Sequence, residues 1–208
     1  PLAADCVIPR LVLLGIGLSG FCALGYEVLW TRLLILFLDA STYSFTTVLM
    51  AFLLGISLGG GAYALWRKAV LSRPGEQGGA TTILGFGLSQ LLIGITTLLS
   101  MALLMELPAY SLRLVKLFSH LSVDLFFARQ LANFSFVFTL LLIPSWLLVL
   151  SLPLAGQVYA RYRNATGSAV GSLVASNTLG AILGAIAGGF FLVRYLGIEG
   201  ALQVLVLL

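Results

Sequence analysis

The chain has 208 residues, of which 60% are hydrophobic and only 9% charged, with a formal net charge of +4 and a mean hydropathy of +1.11. A soluble domain carries about a quarter charged residues, and no water-soluble fold conceals this many long apolar runs, so the composition points to a chain whose solvent is the bilayer. The positive charges stand singly or in pairs at the ends of apolar runs, with no basic stripe interleaved with aromatics, which speaks against a nucleic-acid partner.

Crossing a ~30 Å hydrocarbon core takes about 20 apolar residues in a helix. The first run of that length covers about 11–31 and contains "ALGYEVLWTRLL", which sets Glu27 and Arg32 in an otherwise nearly uncharged stretch. The second and third cover about 43–66 and 81–105. A long connection follows, in which Arg113, Lys116, His120 and Asp124 recur at three- and four-residue steps while Leu112, Val115, Leu117, Leu121 and Leu125 occupy the other side. That pattern predicts an amphipathic helix at about 108–127 lying in the interface plane, with Pro108 in its first turn. The fourth run, about 131–158, includes Pro144 and Pro153; the fifth covers about 169–193; a sixth starts near Gly200 and is still apolar at Leu208. A longer parent chain is therefore expected.

Because the runs are continuous rather than alternating, helices are expected and barrel strands are not. The fold class is an all-α polytopic bundle forming one transmembrane domain over 1–208, with five complete transmembrane helices, an incomplete sixth and one interfacial helix. Orientation follows from Lys and Arg in the connections. Arg10, Arg67, Lys68, Arg73, Arg161 and Arg163 share one side; Arg32, Arg113, Lys116, Arg129 and Arg194 share the other with Asp39, Glu106, Asp124 and Glu199. The bias places the N-terminus in the cytoplasm.

The residue that asks for a role is Glu27. It lies about 24 Å along a helix starting at Leu11, at 1.5 Å per residue, near the far interface but within the hydrocarbon margin. An ionisable group at that depth marks a cation or proton site unless it is hydrated or paired. Tyr26 and Trp30 flank it as interfacial aromatics or cation–π walls. Arg32 is one partner to consider, although five residues is poor spacing for an intrahelical pair. Asn177, in the polar trio Ser176, Asn177 and Thr178 at middle depth of the fifth run, is a second. Glycines at four-residue steps, Gly55 and Gly59 in one run and Gly180, Gly184 and Gly188 in another, lay a smooth face along each helix for close packing or sliding.

Chemistry of other kinds lacks its residues. Cys6 and Cys22 form no CxxC pair, and the single His has no second ligand at metal spacing. There is no Ser-His-Asp set, no pair of carboxylates on one helix face and no Gly-rich phosphate loop after a strand, so no catalytic residue, metal or cofactor is expected.

The strings "GYEVLWTRLL", "STYSFTTVLMAFLLGISLGGGAY" and "GSLVASNTLGAILGAIAGGFFL" resemble the membrane portion of bacterial spermidine-synthase-like membrane proteins, the fused major-facilitator/spermidine synthase family. Its specific parts are Tyr26, Glu27, Trp30 and Arg32 in the first string and Asn177, Thr178 and Gly180 in the last. The resemblance implies an inner-membrane helical module that precedes a cytoplasmic aminopropyltransferase-like domain, of which these residues hold no trace. On that basis the chain is a non-catalytic module that anchors such a domain and binds or passes a polyamine-like cation. Glu27 would be its counter-charge, Tyr26 and Trp30 its walls and Asn177 a neutral ligand. The alternatives are a structural accessory subunit packed against other membrane subunits or a second copy, and part of a secondary transporter.

Overall fold

The computed structural model describes residues 2–38, 42–71, 79–120, 124–160 and 166–208. All elements among them are helical: α1 (Leu2–Phe37), α2 (Thr42–Leu71), α3 (Gly79–Met105), α4 (Leu107–His120), α5 (Leu125–Ala160), α6 (Thr166–Ile186), a π-helical turn (Ala187–Leu192) and α7 (Val193–Leu207). Five segments are long and apolar enough to cross a membrane. The chain is thus a multi-pass bundle of membrane helices. The connections that carry Asp39, Arg73, Arg161 and Arg163 lie outside the described residues.

Helices run further than the apolar periods predict. α1 starts nine residues before Leu11 and α5 six before the expected 131, because a helix does not stop where the hydrocarbon does. The interfacial helix expected over about 108–127 does not run through Asp124, which is non-helical, and α5 begins at Leu125. Asp124 is therefore not on the polar face of α4. Its carbonyl accepts from the Ala128 N–H at 2.8 Å, the first bond of α5, which puts Asp124 at the N-cap, where a short acidic side chain is favoured.

α5 is the hub. It runs antiparallel to α1, with Val12 and Ile16 of α1 in one apolar cluster with Ala155, Val158 and Tyr159, and Trp30 and Leu34 in another with Phe136, Val137 and Leu140. Against α2 it runs parallel: Gly55 abuts Ser145, Gly59 abuts Trp146, and Gln157 donates to the Tyr63 hydroxyl. α4 packs on its first half, with the Tyr110 and Phe136 rings 5.4 Å apart. Pro144 interrupts the ladder of α5, since it has no N–H to offer the Leu140 carbonyl one turn back. The Ser100 hydroxyl of α3 reaches that carbonyl at 3.0 Å, sharing its one proton with the Thr96 carbonyl of its own helix at 2.8 Å.

α1 and α6 run parallel in backbone contact. Gly180 faces Gly17, Gly184 faces Phe21 and Gly188 faces Gly25, and a Cβ built at Gly180 or Gly184 would fall inside a carbonyl group of α1. Between lipid-solvated helices there is no hydrophobic gain from association, so dispersion and Cα–H···O contacts at this separation have to hold the pair. Ser176 adds one directed bond, donating to the Leu13 carbonyl at 2.7 Å.

The last apolar segment, Gly167–Leu207, is 41 residues long, about 60 Å as a straight helix and twice the hydrocarbon thickness. It is not straight. Gly197 has φ 70° and ψ 178°, and both Gly188 and Leu205 lie against Gly25, although a continuous helix would separate them by about 25 Å. The chain reverses at Gly197, and residues 198–207 return along α1, burying Ala201, Leu202 and Leu205. This returning arm is the incomplete sixth run expected from about Gly200.

Two substitutions test this packing. Gly184→Ala should lower the melting midpoint in detergent, at a cost of about 1–3 kcal/mol from overpacking. Gly87→Ala, where nothing lies within 4 Å, should leave it unchanged or raise it by up to about 1 kcal/mol of helix propensity. Gly197→Ala should cost about 1–3 kcal/mol, because that backbone region is essentially reserved for glycine, and should speed amide exchange in 198–207 relative to α5.

Candidate functional site

Glu27 stands six residues past the middle of the first membrane segment, Val7–Ile35, about 9 Å from the bilayer centre and inside the ~15 Å half-thickness. On a helix of about 100° per residue, Gly17, Phe21 and Gly25 form the face toward α6. Tyr26 and Trp30 then point roughly the opposite way, into the core, where they are 4% and 3% exposed. Glu27 comes between these directions and is half-buried.

Its side is the wall of a cavity of about 50 Å³ shared by four helices. α1 supplies Tyr26, Glu27, Trp30 and Thr31; α2 supplies Phe45, Val48, Leu49 and Phe52; α3 supplies Thr97; α5 supplies Leu141, Pro144, Ser145 and Leu148. A water occupies about 10–15 Å³ by this measure, so the space takes roughly three to five non-hydrogen atoms. Phe45 and Leu49 at the α2 edge are 50% and 38% exposed, so the cavity borders the surrounding membrane.

The wall is mostly apolar with a few placed polar groups. Thr97 donates to the Ile93 carbonyl at 2.8 Å. Ser145 donates to the Leu141 carbonyl one turn back. The hydroxyl protons of Thr97 and Ser145 are thus committed to backbone carbonyls, and each oxygen keeps acceptor capacity only. The Trp30 indole N–H is buried without an acceptor, the one such side-chain atom among the described residues. The Glu27 carboxylate likewise has no hydrogen bond or ion pair among the described residues.

The partners expected from sequence do not reach it. Arg32 is exposed and stands about 140° around α1 from Glu27, five residues on. Asn177 meets α1 at Gly20, where its carbonyl and side-chain oxygen face the glycine, seven residues and about 10 Å along the helix from Glu27. Depth is legible from sequence, but azimuth is not. The residues that sequence reasoning did not single out are Thr97, Ser145, Phe45 and Phe52. The signal present for two of them was a hydroxyl pair in "GITTLLS" and the Pro-Ser step in "LLIPSW", both inside otherwise apolar runs.

The glycine faces lie elsewhere: Gly180, Gly184 and Gly188 on the α1–α6 seam, Gly55 and Gly59 on the α2–α5 seam. The π-helical turn backs the site, with Gly188 against Gly25 and Gly189 against Val28. On α4, Arg113 and Lys116 are exposed, as are Leu112 and Leu117; the His120 side chain lies outside the described residues. No group of three or more potential metal ligands occurs among the described residues.

A second polar set lies on the α1 side toward its N-terminus, where Gln90 donates to Ser19 at 3.3 Å and Ser19 to Ser151 at 3.2 Å. These bonds tie α3, α1 and α5 together and leave no free charge at that level. No protein-family model, curated protein or solved structure matches the chain.

Proposed function

We propose that the chain is a non-catalytic membrane module of a bacterial inner-membrane protein, with its N-terminus in the cytoplasm, that anchors a cytoplasmic domain and binds a polyamine-like cation at Glu27. The observation that carries this reading is the carboxylate without a partner on the wall of a cavity inside the hydrocarbon depth. A carboxylate there is costly and is retained where it meets a cation or a proton. Tyr26, Trp30, Phe45 and Phe52 line the same cavity, and aromatic rings are the side chains that favour an ammonium group. The cavity admits the ammonium end of a polyamine and its first methylenes, and the remaining chain would extend toward the membrane side at Phe45. A structural accessory subunit, bound to other subunits or to a second copy, would need no carboxylate at this depth. Part of a secondary transporter is the second reading, favoured by the π-helical turn and the reversal at Gly197 in the helix that backs the site.

Calorimetric titration of the purified protein in detergent with propylamine, putrescine and spermidine tests the site. Saturable binding is expected for each, weakened about ten- to hundredfold in Glu27→Gln, the range for a hydrogen bond to a charged group. Equal affinity in the variant, or no saturable binding of any amine, would overturn the reading. Intact-mass measurement of the native protein tests the anchoring role: a mass well above 22.1 kDa that includes a soluble domain is expected.

A further inference from the structure

Thr31 stands one turn beyond Glu27 on α1, and both residues line the same cavity. Residues four apart share a helix face, with Cβ atoms about 5–6 Å from each other. The hydroxyls of Thr96, Thr97 and Thr139 donate to carbonyls one turn back in their own helices. Thr31 does not, and its hydroxyl has no partner among the described residues. It is half-buried, as Glu27 is. The Trp30 indole nitrogen is the one side-chain polar atom among the described residues that is both buried and unpartnered, so the oxygens of Thr31 and Glu27, unpartnered as well, keep accessible surface. Depth separates the two. Thr31 lies ten residues past the middle of Val7–Ile35, about 15 Å from the bilayer centre and so at the hydrocarbon edge, against about 9 Å for Glu27. Phe45, at the exposed rim of the cavity, stands near the start of α2 at Thr42, on the side of the membrane where α1 ends. The cavity therefore runs outward along α1, from an acid to a neutral acceptor about 6 Å nearer the headgroups.

Resting on the reading of Glu27 as a cation site, we infer that the site recognises a 1,3-diamine end: a primary ammonium on Glu27 and a second nitrogen, three methylenes away, donating to the Thr31 hydroxyl oxygen. Four bonds of about 1.5 Å in an extended chain place the two nitrogens about 5 Å apart, the spacing of the two side chains. Such a unit has five non-hydrogen atoms, the upper end of the roughly three to five that the cavity holds. The second nitrogen needs no second acid, because at the hydrocarbon edge a cation reaches water and headgroups, and a hydroxyl oxygen suffices to accept from it. After five methylenes the second nitrogen would instead stand about 7–8 Å from the first and pass Thr31 into the headgroup layer. Glu27 thus supplies the charge attraction, and Thr31 sets which spacing is preferred.

The test titrates the purified protein in detergent with 1,3-diaminopropane and 1,5-diaminopentane, two dications that differ by two methylenes, and with propylamine as the probe of Glu27 alone. The longer diamine has more apolar surface to bury, so a preference for the shorter one runs against the hydrophobic term. 1,3-Diaminopropane should bind the wild type about three- to tenfold more tightly than 1,5-diaminopentane, the worth of one hydrogen bond. The preference should disappear in Thr31→Val, which keeps the branched shape and removes the hydroxyl, and persist in Thr31→Ser, which keeps the hydroxyl. Equal affinities of the two diamines in the wild type, or a preference that survives in Thr31→Val, would overturn this inference. A preference lost equally in Thr31→Val and Thr31→Ser would overturn it as well, because shape rather than the hydroxyl would then be the cause. In each of these cases propylamine binding that weakens in Glu27→Gln leaves the Glu27 site standing. No saturable binding of any amine would remove the Glu27 reading and this inference with it. Should Thr31→Val fail to fold, Thr31→Ala takes its place.

Discussion

The contact on which the rest of this bundle depends is the seam between α1 and α6, where two backbones approach without side chains between them. In water, an apolar stripe on each helix would bring them together; in lipid, tails solvate leucine as well as leucine does, and association has to come from proximity and directed bonds. Gly17, Gly180, Gly184 and Gly188 provide the proximity at four-residue steps, and Ser176 the directed bond. The seam fixes both the height and the rotation of α1. Once Phe21 and Gly25 are committed to α6, Tyr26 and Trp30 have to enter the core, and Glu27 has to stand at its edge.

The cavity beside Glu27 exists because α5 is interrupted opposite it. Pro144 leaves the Leu140 carbonyl without its helical donor, and Ser100 reaches across from α3 toward it with a proton it shares with its own Thr96 carbonyl. Ser145, the next residue, turns its hydroxyl back to Leu141 and lies against Gly55 of α2. Two helices are thereby drawn onto α5 at the level where its own ladder is weakest, and the small side chains involved do not fill the space between Trp30 and Phe52. Polar backbone repair and incomplete packing are two results of the same proline.

How much of this could be read from the residues depends on the kind of information each claim needs. Helix existence needs only run length, and the runs are long: every expected membrane helix has a counterpart, including the arm after Gly197. Helix ends need caps rather than hydropathy, which is why the polar periodicity through Asp124 was extended into α5 when that residue is in fact its N-cap. Pairing needs azimuth as well as depth. Asn177 and Glu27 both lie in membrane segments, yet Asn177 is used at Gly20. The hydroxyls of Thr97 and Ser145 were invisible as site residues because a single serine or threonine in an apolar helix normally bonds its own backbone, and these do so while also lining the cavity.

The reversal at Gly197 bears on how firmly the site is held. The π-helical turn after α6 and the returning arm both press on Gly25, two residues from Glu27, one through Gly188 and the other through Leu205. The Cys22 thiol points to the Leu205 carbonyl at 3.6 Å one turn earlier, and Tyr26 is buried in the core on the other side. The stretch from Cys22 to Trp30 is therefore clamped on three sides, and only the direction of Glu27, Thr31 and Phe45 is open. At the proposed site the backbone that carries Glu27 is already fixed, so binding would have to order only the side chain itself. Its cost while empty is met by the packing of its neighbours. That division, a buried aromatic wall beside an acid without a partner among the described residues, is the arrangement on which the proposed cation site rests.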